Sequence, residues 1–141
     1  MKKTIIILSI LLGTSLFAKE ATNAFENLDN LESEVLIEIS NQLLAMGQAE
    51  YKKGEIDVAV SLWERAIEIR KSLGWKDTKE TGNIYFLVSV GLAALGDSCG
   101  SIEPLNEAIR IYEVQNEGKN LNLAIGQRSK MQNSCSVATA Q

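Results

Sequence analysis

One interval governs this sequence: residues of matching size and polarity recur 42 positions apart. Gly54 returns as Gly96, Trp63 as Leu105, Ala66 and Ile67 as Ala108 and Ile109, Ile69 as Ile111, and, upstream, Leu43 as Tyr85, Met46 as Val88 and Gly47 as Ser89. A fixed period of this length is the mark of a structural unit that cannot bury its apolar face alone and stacks on its neighbours. The interval therefore constrains the fold before any single residue does.

Each unit reads as a helical hairpin. In the first, Leu43, Met46, Gly47 and Glu50 or Tyr51 share one face, and Lys52, Lys53 and Gly54 supply a basic last turn and a glycine stop. Ile56, Ala59, Val60, Trp63, Ala66, Ile67 and Ile69 form the facing stripe of a second helix. Ala59 and Ala66 are small enough to let backbones close around Trp63. In the second unit, Thr78 is placed to cap a helix running to about Leu95, with Gly91, Gly96 and Gly100 as punctuation around one turn. Ser101 is placed to cap the next helix, whose first turn holds Pro104, where no backbone donor is needed. The segment "NIYFLVSVGLAAL" is apolar nearly all round yet too short to span a bilayer, which predicts a central helix covered on both sides.

The flanks complete the plan. "MKKTIIILSILLGTSLFAKE" has two lysines, an apolar run over residues 5–17 and Ala18, the layout of a secretory signal cut after residue 18. An uncleaved membrane anchor is the competing reading, and the run is shorter than the ~20 residues a spanning helix needs. Residues 19–39, with Leu28, Leu31, Val35 and Ile39 in stripe, predict an amphipathic helix, either separate from or continuous with the helix ending near Lys53, residues 40–131 the hairpin domain, and residues 132–141 a flexible tail. "NLNLAIGQRSKM" predicts a last short helix.

Charge narrows the partners. Loss of Lys2 and Lys3 with the signal leaves 12 of the 14 lysines and arginines against all 18 acids, a balance that offers no basic field to nucleic acid or to an anionic membrane surface. The distribution is uneven: residues 20–50 carry seven acids and no base, whereas Lys119, Arg128 and Lys130 follow Gly118 with no acid. Two differently solvated faces explain this, as does attraction between the opposite ends of neighbouring copies.

The residues that carry the repeat resemble the tetratricopeptide repeats. Met46-Gly47, Tyr51, Gly54, Ala59, Trp63 and Ala66 match that pattern in the first unit, and Val88, Leu92, Gly96, Leu105 and Ala108 match it in the second. The 42-residue period is similar to the longer-period subgroup typified by kinesin light chain. Ser101 where the first unit has Ala59, and the lack of a proline after either second helix, depart from the pattern. The resemblance implies an all-α fold, a superhelical stack of antiparallel hairpins with about two repeats plus flanking helices; a non-repeat helical bundle is the competing architecture.

The resemblance also implies a binding face on the first helix of each hairpin. Mapped here, that face comprises Asn41, Leu44, Gln48, Tyr51 and Lys52, then Asn83, Phe86, Val90, Ala93 and Ala94. An apolar centre at Leu44, Phe86 and Val90 suits an extended or helical peptide. Coverage of the face by the N-terminal helix or by a second copy is the alternative.

Catalytic chemistry finds little footing. The chain has no histidine, the commonest general base and metal ligand, and Glu34/Glu38 and Glu64/Glu68 sit four apart as on a solvated helix face. No cofactor or metal site is expected. The two cysteines read as a disulfide in an exported protein. In a stack of hairpins the end of the last helix falls beside the turn holding Cys99, which points to a Cys99–Cys135 bond across 36 residues, contributing roughly 4 kcal/mol in the chain-entropy model. The expectation is thus a periplasmic, non-enzymatic adaptor for an unidentified protein or peptide, with no nucleic-acid partner and no stable membrane anchoring. A self-assembling helical protein joined acidic end to basic end is the alternative.

Overall fold

The structure is a computed structural model that describes residues 33–139. The expected signal segment and most of the expected N-terminal helix lie outside the described residues. Within them the fold is all-α. Its five helices are α1 (Ser33–Lys53), α2 (Ile56–Ser72), α3 (Lys79–Ala94), α4 (Ile102–Val114) and α5 (Gly118–Thr139). The main packing is between consecutive helices, α1 on α2, α2 on α3, α3 on α4 and α4 on α5. Helix α3, the segment predicted to be central, is thus covered on two sides, and none of the described helices is long and apolar enough to cross a membrane.

The 42-residue period is written into the backbone. Helix α1 ends with Gly54 N–H donating to Tyr51 O and Glu55 N–H to Glu50 O; α3 ends with Gly96 N–H donating to Ala93 O and Asp97 N–H to Leu92 O. Helix α2 ends with Gly74 to Lys71 and Trp75 to Arg70, and α4 with Asn116 to Glu113 and Glu117 to Tyr112. Every one of these bonds in the first hairpin has its counterpart 42 residues on. All four are the same paired closure of a helix C-terminus, which needs one residue in the left-handed region. Gly54, Gly74 and Gly96 supply it at φ 91°, 77° and 86°, and Asn116, the side chain that best tolerates this conformation after glycine, supplies it at 55°.

Trp63 is the pivot of the core. It is 1% exposed, with Ala59 and Ala66 fully buried on the same helix. A Cβ on Gly47 of α1 would overlap its indole, and a Cβ on Gly91 of α3 would overlap Val60 and crowd the ring from the other side. Gly91 is therefore not turn punctuation, as its neighbourhood in sequence suggested, but a buried position inside α3. Two glycines, one on each flanking helix, make the room that the alanines of α2 alone do not.

At two boundaries and one cap the structure decides between readings or departs from expectation. No break falls at residues 39 and 40, because Leu36, Ile39, Ser40, Leu43 and Gly47 continue one buried stripe along α1. Segment 132–139 is helix rather than tail: it holds no proline, and Cys135 within it is joined to Cys99. Ser101 occupies the N-cap position of α4, but its hydroxyl donates to Ser98 O and the residue is fully buried at the place Ala59 takes in the first hairpin. No side chain caps α4; in the turn before it Asp97 Oδ1 accepts from Gly100 N–H at 2.7 Å. Thr78 does cap α3, accepting from Thr81 N–H.

Candidate functional site

The expected binding residues divide into those that hold the hairpins together and those that line open space. Asn41 Oδ1 accepts from Arg70 Nη2 at 2.7 Å, and Asn83 Oδ1 accepts from the Tyr112 hydroxyl at 2.9 Å, each across 29 residues of sequence. The two bonds are counterparts, since Arg70 and Tyr112, like Asn41 and Asn83, are 42 apart. Both amide oxygens thus serve as clamps between the first and second helices of a hairpin.

The clamps differ in electrostatics. Arg70 is only 4% exposed, and Ser40 Oγ accepts a further bond from its Nε at 3.0 Å while donating its own hydrogen to Ala66 O. Burial lowers the guanidinium pKa, opposed by the charge of Glu80. Tyr112, 2% exposed, has its phenol pushed up to about 12 by burial first and by the charge of Glu117 second.

The other α1 candidates cluster around Trp63. Leu44 O accepts from the indole Nε1 at 3.3 Å, and the Tyr51 ring lies 5.7 Å from the indole at a 34° tilt. Leu44 and Tyr51 are half-buried, whereas Gln48 and Lys52 are exposed.

Asn83 and Phe86 belong to a different place, an apolar cleft of about 220 Å³ bounded by α3, α4 and α5. Its remaining lining is Leu87, Tyr112, Asn120 and Leu123. None of the α1 candidates lines it, and neither does Val90, which stays half-buried on α3. The cleft lining carries no charged side chain: three apolar groups meet two amides and a phenol. Such a lining can hold an apolar anchor and orient it by hydrogen bonds at the rim.

Leu87, Tyr112, Asn120 and Leu123 were not among the expected site residues. Asn120 and Leu123 stand on α5, where the sequence repeat fades, so no register pointed to them. No sequence signal marks them; in the structure Leu123 is 60% exposed, and Ile125 and Val137 on the same helix are 37% and 63% exposed. Apolar groups exposed singly are ordinary on a surface, and Leu123 is set apart by lining the cleft.

Charged residues near the cleft form a separate girdle. Arg110 bridges Asp77 at 2.7 Å and Glu107 at 3.0 Å, and Lys79 meets Glu117 at 2.8 Å. Together with Gln115 Nε2 donating to Asp77 O, these ties fasten the α2–α3 connection to α4 and its end. Among the described residues, no group of three or more acidic, cysteine or histidine side chains could hold a metal ion. Comparison with protein-family models matches none of them, and comparison with curated proteins yields no match.

Proposed function

We propose that this chain is an exported, non-enzymatic adaptor of the tetratricopeptide-repeat kind, which takes an apolar segment of a protein or peptide partner into the cleft beside Phe86. The observation that carries this reading is the uncharged cleft itself, bounded by the first helix of the second hairpin and the helix that follows. The 42-residue recurrence of four helix closures and of the Asn41 and Asn83 clamps supports the repeat assignment. So does the far edge of the fold: at the same offset, Ile84, Val88 and Gly91, all buried, become exposed Gly126, Lys130 and Asn133, as suits the end of a stack. A disulfide fits an oxidising compartment such as the periplasm.

Selection from a random peptide library, followed by titration of the best binder, tests the assignment. Phe86→Glu and Leu123→Glu are expected to weaken binding at least about tenfold, because each places a charge where the lining has none. Binding that survives both variants places the partner elsewhere. Gln48→Ala reports whether the site extends along α1.

A second reading draws on α5, which exposes Leu123, Ile125 and Val137 and carries Lys119, Arg128 and Lys130 without an acid. Self-assembly through that basic helix and the exposed Glu34 and Glu38 of a neighbour's α1 would be screened by salt. Oligomers in sedimentation at low ionic strength that dissolve at high ionic strength favour this reading; monomers in both conditions remove it.

A further inference from the structure

Helix α5 is held to the fold by apolar packing and one hydrogen bond, from Arg128 Nη1 to Asn106 Oδ1 at 3.2 Å, over its first two thirds, and by a covalent bond beyond. Along its first half Ala124 is fully buried with Leu105, Ala108, Ile109 and Tyr112, and Leu121 and Met131 pack half-buried against this group. Ala124 is also the one residue of α5 that is fully buried. Beyond Met131 every described residue is exposed except half-buried Cys135. The side-chain hydrogen bonds of that stretch, from Ser136 to Asn133 O and from Thr139 to Cys135 O and Ser136 O, return to α5 itself. What joins it to the rest of the fold is the bond from Cys135 to Cys99 in the α3–α4 turn.

We propose that the Cys99–Cys135 disulfide is a latch addressed by an external dithiol, and that opening it releases α5 and dissolves the cleft. Cys99 is exposed, so an attacking thiolate reaches its sulfur from solution. That attack forms a mixed disulfide and expels Cys135 as a thiolate. The second thiol of the donor then attacks the mixed disulfide, freeing Cys99 and leaving the donor as a cyclic or internal disulfide. Two electrons pass from donor to protein, the donor's two protons end on the cysteine thiols, and the exchange reverses with an oxidised dithiol.

The consequence for the cleft follows from its walls. Asn120 and Leu123 of α5 face Asn83, Phe86 and Leu87 of α3. With the latch closed, α5 is held along both halves of its length; with it open, fully buried Ala124, half-buried Asn120, Leu121, Gln127, Arg128 and Met131, and the Arg128 Nη1–Asn106 Oδ1 bond hold the first two thirds, and among the described residues nothing holds the stretch after Met131. This loss of the wall is independent of what the cleft binds.

Limited proteolysis of the whole chain with trypsin tests the latch, using oxidised protein, protein reduced with dithiothreitol, and a Cys99→Ser/Cys135→Ser double variant. Lys119, Arg128 and Lys130 put cleavage sites on α5, and Arg65, Arg70 and Lys71 put them on α2. Reduction is expected to speed cleavage after Arg128 and Lys130 about tenfold or more while the α2 sites stay protected, since cleavage follows the population of the opened segment. The double variant should match the reduced protein and ignore dithiothreitol. Hydrogen exchange of the α5 amides should rise in parallel. Cleavage of α5 at the same rate before and after reduction overturns the latch. So does equal loss of protection in α2, which would make the bond a staple of the whole domain.

Discussion

The indole of Trp63 fills the space that a Cβ on Gly47 would occupy, so the backbone of α1 lies directly against the ring. A methyl group there must displace a buried aromatic that also touches α3. Gly47→Ala is therefore expected to destabilise the fold by about 1–3 kcal/mol through overpacking, despite alanine's better helix propensity. Gly126→Ala, mid-helix with open space around it, should instead stabilise by about 0.5–1 kcal/mol. Urea denaturation of the two variants gives opposite signs if the close approach is real.

The two asparagine clamps predict an unequal cost. Asn83→Ala leaves the buried Tyr112 hydroxyl without its acceptor, a loss of about 1–2 kcal/mol. Asn41→Ala takes an acceptor from a buried guanidinium and should cost more, about 2–3 kcal/mol. Equal losses in chemical denaturation would mean that the charge on Arg70 is satisfied by water.

Tyr112 sets an alkaline limit. Its folded pKa of about 12 lies above the unfolded value of about 10, so the unfolded chain loses the proton first and stability falls as pH rises between them. The full loss is about 2 kcal/mol, complete only above the folded pKa. Burial raises the Tyr85 phenol as well, so tyrosinate absorbance should show more than one late-titrating phenol, and Tyr112→Phe should remove the step near 12 and flatten the alkaline fall. A tyrosinate titration that Tyr112→Phe leaves unchanged near pH 12 would contradict the burial of this phenol.

Asn116 is the one non-glycine among the four left-handed closures. Asn116→Gly is expected to raise stability by up to about 1 kcal/mol, and Asn116→Ala to lower it by about 1 kcal/mol, because a Cβ in that region meets the following carbonyl. Thermal melts of the pair measure the difference, and indistinguishable midpoints would argue for a different closure of α4.

The hairpins were legible because their signals are local. Glycine at 54 and 96, the apolar stripe of α2 and threonine at 78 each act within a few residues of themselves. Gly91 was misread for the same reason: near Gly96 and Gly100 it resembles turn chemistry, and only the approach of Val60 and Trp63 from another helix gives it a buried role. Asn41 and Asn83 were correctly placed on the first helices, yet their amide oxygens are engaged by donors 29 residues away, which no helical periodicity reveals. A third of the cleft lining, Asn120 and Leu123, lay hidden in α5, where the 42-residue recurrence fades and polar residues carry no register. The Cys99–Cys135 pairing was accessible from sequence because two cysteines allow one pair, although Cys135 was expected in a tail and stands within α5.

The matched closures at Gly74 and Asn116 make the chain extensible. Residues 75–116 begin and end on the same pair of backbone hydrogen bonds. A duplicate of that stretch spliced after Asn116 would present Trp75 N–H where Glu117 N–H now donates to Tyr112 O. Each join of such a splice would carry the same pair of backbone hydrogen bonds that closes α2 and α4 now.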